Sequence, residues 1–142
     1  MTAMERGKRN PEHSEQSDWQ LQGAYYLSGF PSLQRPVDFT GLLLEKPLDE
    51  SQQESLYTLE RNHFQVCRRN LETLRSERCW SYGHVEKDPQ YGYQDQRFGK
   101  AEGLARSGSE LYLVVDNNNG ARQLNGDDQR PQLFVFALPD NW

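Results

Sequence analysis

The chain has 142 residues, a net charge of −5 and a hydrophobic fraction of 35%. That acidic balance argues against nucleic acid or an anionic membrane as the main partner, because both reward clustered Lys and Arg. No apolar run approaches the roughly 18 residues needed to cross a bilayer, so the sequence reads as that of a soluble protein.

Residues 1–18 are almost wholly polar and read as a disordered tail, with no apolar stretch that would make them a secretory signal. A single β-rich domain is expected over 19–142. It opens with the aromatic-rich segment Trp19–Phe30, which ends before Pro31 and suits one strand or a short hairpin. A strand follows over Val37–Glu45. Turn signals then punctuate the chain at Lys46-Pro47, Asp88-Pro89, Asn119-Gly120 and Asn125-Gly126. Between them lie an aromatic loop over Ser81–Gly99 and apolar strands near Gly99–Gly108, Glu110–Asn118 and Gln132–Pro139.

The segment 49–78 supports two readings. Read as one long helix, it has a capping box at Ser51 to Glu54 and a broad apolar face carrying Leu56, Leu59, Val66, Cys67, Leu71 and Leu74. Glu60, His63 and Asn70 also fall on that face, and a buried face does not collect unexplained polar groups. Read as strands (Leu56–Arg61, Phe64–Arg69 and Glu77–Tyr82), the segment matches a later part of the chain. VDFTGLLLE, SLYTLERN and FQVCRRNL in the first copy correspond to GKAEGLARSG, ELYLVVDNN and QLFVFALP in the second. The two diverged repeats span 37–85 and 99–139, and repetition on this scale points to stacked supersecondary units. The fold expected is all-β and propeller-like, with about two four-stranded blades. The alternative is an α+β fold, an antiparallel sheet with one long helix over 49–78.

These segments resemble blades of the esterase-like phytase family and related β-propellers. The resemblance rests on Asp38-Phe-Thr-Gly41-Leu42, Leu56 to Asn62, Ala101-Glu102-Gly103-Leu104 and Leu111 to Asn118. The chain is shorter than members able to close a ring, so the resemblance implies a fragment or small member of a hydrolase-like propeller family. In such a propeller the innermost strands turn acidic groups toward the axis, where oxygen ligands hold Ca²⁺ or Mg²⁺. That makes Asp38, Glu60, Glu102 and Asp116 the ligand-binding candidates, with Glu60, Glu102 and Asp116 as candidate Ca²⁺ ligands. The competing reading is that these carboxylates end strands and bond to nearby backbone amides.

Other constellations carry less. His63, Cys67, Cys79 and His84 superficially resemble a zinc set, but their spacing does not gather them in either reading. Glu60-x-x-His63 is a single copy of an element that bundle metal sites use twice. In the loop Asp116–Gly120 the Gly falls one place early for an EF-hand. Tyr82, Tyr91, Tyr93 and Phe98 lack the interleaved basic residues of a base-stacking surface. Arg61, Arg68 and Arg75 would stripe a helix, whereas the strand reading scatters them.

The leading function is a noncatalytic ligand- or partner-binding module. One alternative is a metal-dependent phosphoester or ester hydrolase active as an oligomer, and another is a cytosolic α+β interaction module. Homo-oligomerisation is expected through the strand edges Trp19–Phe30 and Gln132–Leu138. Two cysteines are too few for a disulfide scaffold, which favours a cytoplasmic protein with free thiols, or an exported one if the chain is a processed product. The strand reading nevertheless lets Cys67 and Cys79 face one another at about 4.5 to 5.5 Å between Cα atoms, a distance compatible with a disulfide. The helix reading holds them about 18 Å apart.

Overall fold

The computed structural model describes residues 38–47, 51 and 53–142. The polar tail and the strand expected at Trp19–Phe30 lie outside the described residues. Strands β1 (Phe39–Glu45), β2 (Ser55–Glu60), β3 (Gln65–Arg69) and β4 (Ser76–Ser81) form one antiparallel sheet in chain order. A single helical turn, α1 (Gly83–Glu86), and an irregular stretch lead to the second sheet, β5 (Ala101–Ser107), β6 (Glu110–Val115) and β7 (Gln132–Ala137), also antiparallel and in chain order. The all-β expectation therefore holds, with one four-stranded and one three-stranded sheet among the described residues.

The long helix over 49–78 is overturned where the chain is described, because β2, a 3₁₀ turn (Arg61–His63), β3 and the start of β4 occupy it. The reason is chemical. Glu60 and Asn70, which a helix would leave stranded on its apolar face, find partners in the hairpins. Phe64, at φ 55°, closes the β2–β3 turn by donating its N–H to the Arg61 carbonyl at 3.0 Å. In the β3–β4 turn the Asn70 side chain accepts the N–H groups of Glu72 and Thr73 at 3.0 and 2.9 Å, an Asx turn.

The two sheets repeat one another down to their irregularities. The β1–β2 ladder slips between Phe39 and Gly41, and the β5–β6 ladder slips between Ala101 and Gly103. Just beyond each slip the same backbone bond forms: the Arg61 N–H reaches the Asp38 carbonyl at 3.0 Å, and the Asp116 N–H reaches the Lys100 carbonyl at 2.9 Å. Residue equivalences follow from the registers. Gly41 matches Gly103, Leu42 matches Leu104, and Glu60 matches Val115. Along β3 and β7, Val66 matches Leu133, Cys67 matches Phe134 and Arg69 matches Phe136.

A strand turns alternate side chains to opposite faces, and the sheets meet through faces that are not equivalent. Sheet one contributes the face with Leu43, Tyr57, Leu59, Val66 and Trp80, and sheet two the face with Ala101, Leu104, Leu111, Leu113, Val115 and Phe134, all in one hydrophobic cluster. The C-terminal residues seal its rim. Trp142 stacks on Tyr57 with ring centroids 4.4 Å apart and packs against Trp80 at 4.8 Å. Asn141 receives the Trp80 indole N–H and an Arg78 guanidinium N–H, both at 3.0 Å.

Candidate functional site

The joint between the sheets runs along β1 and β5 and gathers two of the acidic candidates. At its centre the Thr40 hydroxyl donates to the Ala101 carbonyl at 2.7 Å. Beside it, a Cβ placed on Gly41 would meet Leu104 and Leu59 atoms at 3.3 Å, so the strands approach over a bare backbone. At one end Arg61, the first residue of the 3₁₀ turn, forms ion pairs with Asp38 through one terminal nitrogen and with Glu102 through the other. Burial opposes its charge, but the Asp38 and Glu102 carboxylates outweigh that and raise its pKa further. At the other end Arg106 donates to Glu45 at 2.6 Å.

Glu60 is not part of this group. It lies 1% exposed on the other face of sheet one, where its Oε1 accepts from the Arg69 guanidinium at 2.5 Å and from the Thr58 hydroxyl at 3.1 Å. Its Oε2 accepts from the Gln65 amide at 2.8 Å. Arg69 is engaged in turn, donating to Thr58 at 3.0 Å and to the Leu74 carbonyl at 2.8 Å. Leu74 sits at φ 57°, within the turn that Asn70 caps. This is a closed charge network in which both Glu60 oxygens already have donors.

Asp116 ends β6, and its carboxylate accepts the N–H of Asn117 at 2.8 Å. The loop that resembled a calcium turn is closed by backbone, with Gly120 N–H on the Asn117 carbonyl at 2.7 Å. Asn118 and Asn119 supply the positive φ values, 46° and 61°. In the repeat the counterpart of Asp116 is Arg61, one residue past Glu60, because those two residues make the equivalent backbone bonds. Among the described residues, no three His, Cys, Asp or Glu side chains are placed to hold a metal ion.

The cysteines behave as the hairpin reading requires. Cys67 and Cys79 lie directly opposite on β3 and β4, with Cα atoms 4.0 Å apart, and form a disulfide. The expectation of free thiols is overturned, and with the sulfurs bonded to each other neither is available to the zinc set. Antiparallel pairing brought them together, as the symmetric placement of the two cysteines about Thr73 allowed.

Sequence reasoning missed Glu86, assigned there to an aromatic loop. It lies 1% exposed on α1, and its Oε1 accepts the backbone N–H of Lys100 at 2.6 Å, tying the helical turn to the start of β5. Burial pushes its pKa up to about 7, with the Lys100 N–H and the nearby Lys100, Lys87 and Arg61 charges pulling the other way. Its Oε2 and the buried Tyr82 hydroxyl close by have no hydrogen-bond partner. Only a lone Glu behind Tyr82-Gly83 marked the place, and no local pattern distinguishes such a residue from a surface carboxylate.

One large surface remains open. On sheet two the face opposite the core carries Val114, Leu133 and Val135, which are 47%, 57% and 49% exposed. Val114 stands directly across from Leu133, and Tyr112 from Val135, so these side chains form one contiguous apolar grid. Beside it runs an open groove of about 400 Å³ lined by Tyr91, Arg122, Leu124, Asp128, Leu133 and Phe134. The Arg122 guanidinium in that groove already donates to the Tyr91 and Arg130 carbonyls at 2.7 and 3.2 Å. No family model matches this chain, and no match to it was found among curated proteins or solved structures.

Proposed function

We propose that this chain is a noncatalytic partner-binding module, a small member of the propeller-like class that its blade-like repeats resemble. The observation that carries the reading is the contrast between occupied acids and an unoccupied face. Asp38 and Glu102 both pair with the Arg61 guanidinium, and Glu60 is held by Arg69 and two further donors. A carboxylate already bonded to a guanidinium is a poor ligand for Ca²⁺, because the cation must displace one charge to gain another. Meanwhile the Val114, Leu133 and Val135 face offers the contiguous apolar surface that marks interaction sites. The Cys67–Cys79 bond suits an oxidising compartment better than the cytoplasm.

Calorimetric titration with Ca²⁺, paired with a chromogenic phosphoester and an ester substrate, tests the reading. A module of this kind gives no saturable heat and no turnover. Tight Ca²⁺ binding that disappears in Glu102→Gln would overturn it in favour of the metal-dependent hydrolase.

A further inference from the structure

We infer that residues 19–34 of this same chain dock onto the face of sheet one that carries Thr58, Glu60, Cys67 and Arg69, as the first repeat's counterpart of the stretch that leads into β5. The inference goes beyond the partner-binding reading and does not depend on it. Its ground is a covered face whose cover is not supplied by the second sheet. All four side chains are 1% exposed or less, yet sheet two packs against the opposite side of sheet one, on Tyr57, Leu59 and Val66. Among the described residues, what reaches over Arg69 comes from sheet one itself, through the Phe39 ring at 5.3 Å and the Leu74 carbonyl at 2.8 Å. The cover is local, since Leu42 on the bordering β1 is 67% exposed. A single segment over β2 and β3 fits that outline, and a whole further sheet does not.

The repeat identifies the segment. By the register, the equivalent face of sheet two carries Leu113, Val115, Phe134 and Phe136. There the stretch leading into β5 contributes to the cover: Tyr91 packs on Phe134 with ring centroids 5.8 Å apart, and Tyr82, Val85 and Tyr93 belong to the same cluster. The stretch leading into β1 holds the same place in the first copy. Trp19 precedes Gly41 by 22 positions and Trp80 precedes Gly103 by 23. Behind each tryptophan the stretch is aromatic, with Tyr25, Tyr26 and Phe30 in one and Tyr82, Tyr91 and Tyr93 in the other.

The chemistry of the two surfaces agrees. Thr58, Glu60 and Leu74 take up the edge of the Arg69 guanidinium, so its planar faces are what a cover meets, and those accept aromatic rings. Both Glu60 oxygens already have donors, so a further buried charge would find no partner there. Residues 19–34 carry no charge, whereas 1–18 are charged throughout and 48–52 include Asp49 and Glu50. The tether is long enough. Residues 31–37 extend to roughly 23 Å, and β3 lies only about 10 Å from β1 across the sheet.

Hydrogen exchange read by mass spectrometry on the full, unmodified chain is the first test. Amides of 20–34 are expected to exchange at least about tenfold more slowly than those of 2–18, and equal rates overturn the inference. A second measurement locates the contact. A benzophenone-bearing residue replaces Tyr25, Tyr26 or Phe30 in turn, with far-UV dichroism confirming the fold, and irradiation is expected to join it to β2 or β3 of the same chain. Cross-links to Val114, Leu133 or Val135 would put the segment on the open face of sheet two, and cross-links between chains would make a second copy the occupant. Either overturns the inference, as does the absence of a cross-link from all three positions. None of these outcomes touches the partner-binding reading, which stands or falls on the Ca²⁺ and hydrolysis measurements.

Discussion

Sheet one and sheet two share a backbone plan and differ in what they bury at the same positions. Where sheet two places Leu113, Val115, Phe134 and Phe136, sheet one places Thr58, Glu60, Cys67 and Arg69. All four of the latter are 1% exposed or less. One sheet is held by apolar packing on that face, the other by an ion pair, a hydroxyl bridge and a disulfide. The comparison teaches that strand order and register are set by the alternation and by turns, while the interior chemistry is free to invert provided every buried charge is satisfied.

The largest expected effect comes from breaking that satisfaction. Glu60→Ala leaves the Arg69 guanidinium buried without its carboxylate, and removing one member of a buried pair costs about 3 to 5 kcal/mol. Urea denaturation with the disulfide intact measures it. Restoring the chemistry of sheet two with Glu60→Val and Arg69→Phe together should recover most of the loss, since apolar replacement of a whole buried pair is often neutral. A double variant as unstable as Glu60→Ala alone would mean that the plan of the two sheets is not interchangeable.

Next is the disulfide, which has no counterpart in sheet two. Cys67 and Cys79 are separated by 12 positions, and a closed loop of this size restricts the unfolded chain by about 3 kcal/mol. Cys67→Ala with Cys79→Ala should lower stability by about that amount. Hydrogen exchange should accelerate in β3 and β4 more than in β6 and β7.

The strands, the repeat and the facing cysteines were legible because they rest on alternation, turn residues and pairing symmetry, all of which are local or repeat in the sequence. Strand ends in the segment that a helix could have claimed fell within one residue of the expected positions, as with Ser55–Glu60 for Leu56–Arg61, and elsewhere they missed by up to three, as with Glu110–Val115 for Glu110–Asn118. The helix alternative arose because the buried Thr58, Glu60 and Arg69 masked the period-two pattern of a half-buried strand. Glu60 looked like a ligand because its arginine lies on the neighbouring strand, and the sequence does not print which arginine pairs with which acid. The Arg61 bridge was hidden for the same reason. Its partners Asp38 and Glu102 come from different repeats, and no local pattern links either to Arg61.

A third test concerns Glu86, which ties α1 to the start of β5. Its carboxyl is raised from 4.5 to about 7 by burial. The folded state therefore holds a proton that the unfolded state releases between those values. The contribution is fully present below about pH 4.5, falls as pH rises through the window, and is lost above about pH 7. Glu86→Gln keeps an acceptor for the Lys100 N–H and removes the ionisation. It should raise stability by about 1 to 3 kcal/mol at pH 8 and leave it little changed at pH 4.5. Thermal unfolding of both proteins across that range reads the difference, and parallel pH profiles would show that Glu86 does not titrate in the window.

The smallest effect separates the two equivalent glycines, and it isolates packing from backbone preference. Neither Gly41 nor Gly103 adopts a positive φ, so alanine is conformationally acceptable at both and reduces the freedom of the unfolded chain by a similar amount. Their surroundings differ. At Gly41 the new methyl would lie 3.3 Å from Leu104 Cβ, Leu104 N and Leu59 Cβ, and one of those contacts is backbone that cannot swing aside. At Gly103 it would lie 3.7 Å from Val114, ordinary van der Waals contact. Gly41→Ala should therefore cost about 1 kcal/mol through overpacking, while Gly103→Ala should stay within about 0.5 kcal/mol of the wild type. Urea denaturation of the two variants beside the wild type measures the difference. Equal effects at the two positions would mean that β1 and β5 do not approach as closely as their bare backbones allow.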